Sequence, residues 1–373
     1  MKTLLIIGNG FDLNCKLKSK FSNFFESKVV EVIWNGDRGF VLSNESKNNI
    51  WYLILFFAFY GNKTPSYMSD DERLFPIISN NNPLWMDVES YIKRIMTEKN
   101  QKLGKYLHFI GEKSFLDILN YIDSNKENHD SPMLKRFQYK ELSLFFSNIK
   151  QIKESKTMTE FLFYELQLFE TDFKNYISNE IKNNFENYKK RSKCLMKKLR
   201  TKNEIFYILD FNYTKPILSE GDIINHVHGN VDTKVIIGYD LSETNSNENS
   251  PLMLTKGWQK MFSGAKETPL PEKDRIECIR FYGHSLGEQD YSYFHALFDY
   301  YDIYSRSIIL EFYYSEYEDT SEKNESIRAD YISRVYRLLN KYVEESEREN
   351  KRRTFVSRLQ LENRLKIKKI WIN

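Results

Sequence analysis

A short β-favouring run that stops at a glycine-bounded turn constrains this chain more than any other feature. Residues 3–7 (Thr-Leu-Leu-Ile-Ile) lead into Gly8-Asn9-Gly10-Phe11-Asp12, and apolar or aromatic residues then recur at 13, 17, 21, 24 and 25, which is helical spacing. An uninterrupted apolar strand is expected where a parallel sheet is covered on both faces. The opening therefore reads as strand, glycine turn, helix over 13–27. It does not read as a secretory leader, because the apolar run ends at Gly8 and no small-residue cleavage site follows.

Comparable strand signals return only at 205–209, and then at 223–227, 235–237, 279–282 and 308–313, with helical stretches at 291–304 and 325–348. Between residues 31 and 202 the pattern is helical almost throughout. Asn82-Pro83 supplies a helix start before an apolar stripe at 84, 88, 91, 92 and 95, and residues 161–181 form a long amphipathic segment. The expected fold class is α/β, a Rossmann-like parallel sheet built from residues 1–30 and 203–373 and interrupted by an all-helical insertion over 31–202. Residues 242–250 (SETNSNENS) suit a mobile loop.

Composition narrows the class. The 373 residues include 27 Phe, 25 Tyr and 5 Trp, which excludes disorder over most of the chain. A net charge of +3 announces neither a nucleic-acid nor a membrane partner, so such a partner needs a local patch. Three scattered cysteines, Cys15, Cys194 and Cys278, fit a reducing compartment. The longest apolar run, residues 51–60, is about half of what spans a bilayer and reads as a buried helix. A soluble, cytoplasmic protein is expected, without a membrane partner.

Four polar loops follow strands. In the first, Gly8 and Gly10 let the backbone approach a ligand, and the helix start offers N–H groups to a phosphate; the third glycine of the dehydrogenase fingerprint is replaced by Leu13. Asp12 would repel a phosphate and better suits a ribose hydroxyl or water, or else caps the helix. In the second, Asp210-Phe211-Asn212-Tyr213-Thr214, polar side chains at the end of a parallel strand face the crevice where such sheets bind ligands, or cap the next turn. In the third, Asn225-His226-Val227-His228-Gly229-Asn230, His228 has the chemistry of a general base near neutral pH. His226 and His228 alternate onto one strand face, yet no third ligand lies nearby, so no metal is expected. The fourth, Gly283-His284-Ser285-Leu286-Gly287-Glu288-Gln289-Asp290, matches the Gly-x-Ser-x-Gly spacing of hydrolases but lacks an oxyanion glycine run upstream. It reads as a second ligand loop for an adenine or ribose, with Asp290 there or capping a helix.

Two further segments carry charge. Asp87 and Glu89 sit on different helical flanks and do not pair as carboxylates; Glu89 has Lys93 one turn on. Residues 189–203 hold eight bases and no acid, enough for a nucleic-acid field, but no aromatic lies among them for stacking.

The four loops GNGFD, FNYT, HVHGN and GHSLGEQD, with WMDVE and LQLFETDF between the first two, resemble the AbiH family of phage abortive-infection proteins from residue 2 to about 312. More distantly the order is similar to sirtuin-like NAD-binding domains. That resemblance implies a nucleotide pocket: Gly8, Asn9, Gly10 and Phe11 near the pyrophosphate, Asn212 holding water or ribose, and His228 with Gly229 at the base position. Gly283, His284, Ser285 and Asp290 would then line the adenosine side, and Asp12 would join Asn212 and His228 in catalysis. Thr214 stands where the sirtuin pattern has a second acid, and the sirtuin zinc cysteines are absent, so protein deacetylation is not implied. The function expected is that of an antiphage effector hydrolysing NAD or a related nucleotide. Competing readings are a nuclease using His226, His228, Asp12 and the basic stretch, and a non-catalytic sensor of a nucleotide or phage trigger. The aromatic-rich insertion offers surface for a homo-oligomer.

Overall fold

The computed structural model describes residues 2–34, 37–43, 45–60, 87–97, 124, 157–240, 252–264, 268–316, 321–345 and 354–371. The chain divides into two compact units, one of Met1–Ser19, Lys174–Val235 and Ala265–Asn373, the other of Lys20–Phe173 and Ile236–Gly264. The chain passes from one to the other inside a long helix, Met158–Asn183. No helix among the described residues is long and apolar enough to cross a membrane.

The first unit is built on six parallel strands, β1 (Lys2–Ile7), β2 (Ile205–Asp210), β3 (Ile223–His226), β4 (Cys278–Tyr282), β5 (Ile309–Ser315) and β6 (Leu365–Ile370). They lie in the order β3-β2-β1-β4-β5-β6, the doubly wound order in which connections leave β1 toward opposite edges. The strand period of two explains the layers. Leu4 and Ile6 share one face with Phe281, Leu310 and Phe312, covered by Phe294 and Phe298 of α3 (Tyr291–Tyr300) and Leu338 and Leu339 of α4 (Ser321–Glu345). Helix α5 (Phe355–Leu361) adds Phe355 and Leu359 to that layer. On the other face Leu5, Ile7, Phe206 and Ile208 meet Phe11 of α1 (Gly10–Asn14) and Leu195, Met196 and Leu199 of α2 (Phe185–Leu199). Helices α1 to α5 all belong to this unit.

One buried charge cluster crosses the sheet. Arg280 of β4 pairs with Glu204 at 3.0 Å and Glu311 at 2.7 Å, and Lys368 of β6 reaches Glu311 at 2.6 Å. Burial alone would raise both carboxyls. The Thr201 N–H, the Thr3 hydroxyl and Arg280 hold Glu204 below its ordinary range, and Lys368 with Arg280 does the same for Glu311.

In the second unit a helix, Ile50–Tyr60, is anchored on the long helix: the Trp51 indole donates to the Leu162 carbonyl at 2.9 Å and the Ile50 N–H to Glu165 at 3.0 Å. Phe24, Tyr52, Phe169 and Phe173 pack ring on ring beside them. Glu89, on helix Asp87–Thr97, pairs at 2.7 Å with the buried Lys256.

Several expectations are corrected. The helix expected over 13–27 is two short helices, α1 and Phe21–Glu26, separated where Lys16 adopts a left-handed backbone with φ 65°. The insertion is not all helical, because Val29–Trp34 and Asp37–Leu42 pair as an antiparallel hairpin. Its signal was the β-branched run before Asn35-Gly36, a dipeptide that favours tight hairpin turns. Residues 235–237 form no strand; only single bridges, Gly229 to Val235 and Tyr239 to Thr255, occur there. The Asn82-Pro83 helix start and the loop at 242–250 lie outside the described residues.

Candidate functional site

Four strand ends, of β1, β2, β3 and β4, deliver the polar loops to one edge of the first unit, on both sides of the strand where the winding reverses. Loops one and four meet backbone to backbone. The Gly8 N–H donates to the Tyr282 carbonyl at 3.1 Å, and the Gly10 N–H to the Gly283 carbonyl at 2.7 Å. A Cβ at position 8 would lie 2.7 Å from the His284 Cα, and one at position 10 would lie 2.7 Å from the Gly283 Cα. The close approach that these glycines permit is thus between two loops of the protein. The Gly8 and Gly10 N–H groups expected at a pyrophosphate already have carbonyl partners, and the Phe11 N–H donates to the Gly8 carbonyl at 2.8 Å. Phe11 itself is a core side chain, edge-on to Tyr282. Asn9 accepts from the Ser19 hydroxyl.

Asp12 points inward. The Thr214 hydroxyl lies 2.8 and 2.9 Å from its two oxygens, and the Tyr188 hydroxyl, from α2, lies 3.3 Å from Oδ1 and 3.2 Å from the Thr214 hydroxyl. Full burial lifts Asp12 from 3.8 to about 7, against the lowering effect of Thr214 and Tyr188. It is neither a helix cap nor a fixed anion. Asp210 is raised as well, first by burial and then by Asp12, while its Oδ1 accepts the Asn212 N–H at 2.8 Å. Two neighbouring buried carboxyls cannot both ionise cheaply, so both hold protons more readily than a surface acid would.

Asn212 donates its amide hydrogen to the Gly8 carbonyl at 3.1 Å, which ties loop two to loop one. Its Oδ1 is buried and takes no hydrogen bond from the described residues. His226 faces Asp210 at 3.4 Å, and burial holds its imidazole at about 4, so it is neutral near pH 7.

His228 and His284 share one acid. Asp290 sets Oδ1 3.4 Å from His228 Nε2 and Oδ2 3.4 Å from His284 Nε2. The Leu286 N–H donates to His284 Nδ1 at 2.9 Å, which makes that nitrogen the acceptor and places the ring proton on Nε2, toward Asp290. His228 also turns Nε2 toward that carboxyl group. The Phe211 ring stands edge-on to both imidazoles, at 5.4 and 4.7 Å, and Tyr293 adds a ring 5.5 Å from His228. Gly229, at φ 74°, turns the chain just after His228; a Cβ there would meet the Lys234 carbonyl at 1.8 Å. Ser285 offers its carbonyl to Arg334 at 3.3 Å.

Asp12, Asn212, His228, His284 and Asp290 are therefore all buried within one cluster of loops, whereas Phe11 faces the core. His226 and His228 engage separate carboxylates, because β3 ends at His226 and the strand alternation that would put them on one face ends with it. Tyr188 was missed; 176 residues separate it from Asp12, and nothing local marks it. Asp210 and Thr214 lay within a recognised motif, but their roles need the fold.

A family model described as "Bacteriophage abortive infection AbiH" matches residues 4–314, a span that takes in all four loops. No curated protein matches the chain, and no solved structure does. With more than half of its length and every element of the loop cluster inside the match, the chain belongs to the AbiH family, whose role is bacteriophage abortive infection.

Proposed function

We propose that this AbiH protein acts in abortive infection by cleaving the N-glycosidic bond of NAD or a related nucleotide at the four-loop cluster. The observation that supports the reading is that Asn212, tied to the Gly8 carbonyl, and His228, 3.4 Å from Asp290, both sit on loops that follow strands at the reversal point of a doubly wound sheet, the place where such sheets bind ligands. Water attacks C1′ of the nicotinamide ribose, and the C1′–N bond breaks with its electron pair going to the pyridinium nitrogen. The products are neutral nicotinamide, the hydroxylated ribose at C1′ and one proton. His228 Nδ1 takes that proton, Asp290 steadies the imidazolium through Nε2, and Asn212 Oδ1 accepts from the water or a ribose hydroxyl. Burial raises both Asp12 and Asp210, which lessens the repulsion that two fully ionised carboxylates would impose on a phosphate. The sirtuin resemblance supports the same substrate class, with the adenosine side at Ser285.

The test is chromatography of nicotinamide after incubating purified protein with NAD. The parent chain turns NAD over, and His228→Ala and Asn212→Ala each lower kcat by about 100-fold or more. Absence of turnover in the parent, alongside loss of phage protection in His228→Ala, would assign the cluster to other chemistry.

A further inference from the structure

Helix α2 carries a row of like charges along one side. Phe185, Lys189, Lys193 and Lys197 follow one another at i, i+4 spacing along its exposed side, and the described side chains of all four are exposed. Adjacent like charges at this spacing repel and weaken a helix. Lys197 and Lys198 gain from the helix C-terminus, but Lys189 and Lys193 lie too far from it. The opposite side of the same helix, with Tyr188, Leu195, Met196 and Leu199, is spent on the sheet.

The fold supplies the stacking surface that residues 189–203 lack. Lys198 donates to the Trp371 carbonyl at 2.7 Å, so the residue after β6 lies beside the C-terminal end of the row. Trp371 is 69% exposed, with the Lys369 ammonium 3.5 Å from its ring centroid. At the other end Phe185 is 48% exposed, with Lys189 5.7 Å from its ring. The basic row therefore runs between two solvent-exposed aromatic rings, each with a lysine ammonium over one face, that are 186 positions apart in sequence and brought together by folding.

We propose that this stripe of α2 with Trp371 binds single-stranded nucleic acid. Lysines spaced along about 12 Å of helix, at 1.5 Å per residue, match roughly four nucleotides stacked at 3.4 Å. Aromatic faces reward unpaired bases, whose flat sides a duplex hides. A membrane fits worse, since a helix lying on lipid inserts its apolar face and that face is already covered here. Glu186 in the first turn is the acid nearest the row on its own helix, and Glu316 is paired with Lys369. This surface is independent of the proposed glycosidic chemistry.

Fluorescence anisotropy of a labelled twelve-nucleotide single-stranded RNA, titrated with full-length protein over a range of salt, tests it. The parent should bind with a steep salt dependence. Lys189→Glu with Lys193→Glu and Lys197→Glu should flatten the slope of log K against log salt by about 2 and weaken binding at least 30-fold at low salt. Trp371→Ala should weaken binding about tenfold with the slope unchanged. The triple glutamine variant serves as a second, milder set, and circular dichroism confirms that each variant is folded. The proposal is overturned by a parent that does not bind, by reversal variants that bind as the parent does, or by a duplex that binds as well as the single strand with Trp371→Ala silent. Capture by anionic phosphatidylglycerol vesicles without oligonucleotide binding would likewise replace it with a lipid surface.

Discussion

Asp12 shows how burial turns a charged side chain into something else. Its carboxyl rises from 3.8 to about 7 because the folded chain removes it from water, and only two hydroxyls answer it. The folded state thus keeps a proton that the unfolded chain releases near pH 4. This group's stabilising contribution is whole below that pH and is lost as pH climbs through about 7. Asp12→Asn keeps both hydroxyl contacts and does not titrate. Relative to the parent it should gain stability at pH 8, on the order of 4 kcal/mol at most, and gain little at pH 4. Urea denaturation at the two pH values reads the difference; an equal effect at both would show that Asp12 is a fixed anion. His226 works with the opposite sign. Its depressed value, about 4, means that stability is lost as pH falls from 6.5 through 4, so parent and variant must be compared pairwise.

At the scale of elements, the contact between the first and fourth loops decides where every other polar group sits. Gly10→Ala would drive a methyl to within 2.7 Å of the Gly283 Cα and 2.8 Å of its carbonyl oxygen, both backbone atoms that cannot rotate aside. The expected cost is about 3 kcal/mol, with the Gly10 to Gly283 hydrogen bond lengthened. Thermal unfolding measures the first, and faster hydrogen exchange of the amide at position 10 reports the second. Much of this was legible in the residues. The strand–glycine–helix opening, the later strands and the loop order all follow from local pattern, since a buried parallel strand writes itself as an apolar run. Three things were not. The break at Lys16 needs a left-handed residue that no glycine announces. Strand β6 alternates Leu365, Ile367 with Lys366, Lys368, a period of two hidden in a basic stretch at a sheet edge, where lysines guard against unwanted pairing. The partners of Asp12 and Asp290 come from distant positions, and composition cannot supply them.

For the molecule as a whole, the family match ends at residue 314, but the structure of the first unit does not. Val335, Leu338, Leu339, Phe355 and Leu359, all beyond that point, are buried on the sheet, and β6 closes its far edge beside β5. A chain ending at Ser315 would retain all four loops and still expose the apolar face these side chains cover. It should be recovered insoluble or without a cooperative melt; a truncated protein that melts as the parent does would show that α4, α5 and β6 are accessory.

The placement of β1 has a consequence for synthesis. This strand, near the start of the chain, lies between β2 and β4, whose residues 205–210 and 278–282 are translated long after it. At 5–20 residues per second the ribosome needs roughly 10–40 s merely to reach the first of those neighbours. Until the second has emerged, His284 and Asp290 do not exist beside Gly8 and Asn212. Nascent chains therefore have no assembled cluster until residue 290 has emerged, and the order in which the message is read sets the earliest moment at which the four loops can meet.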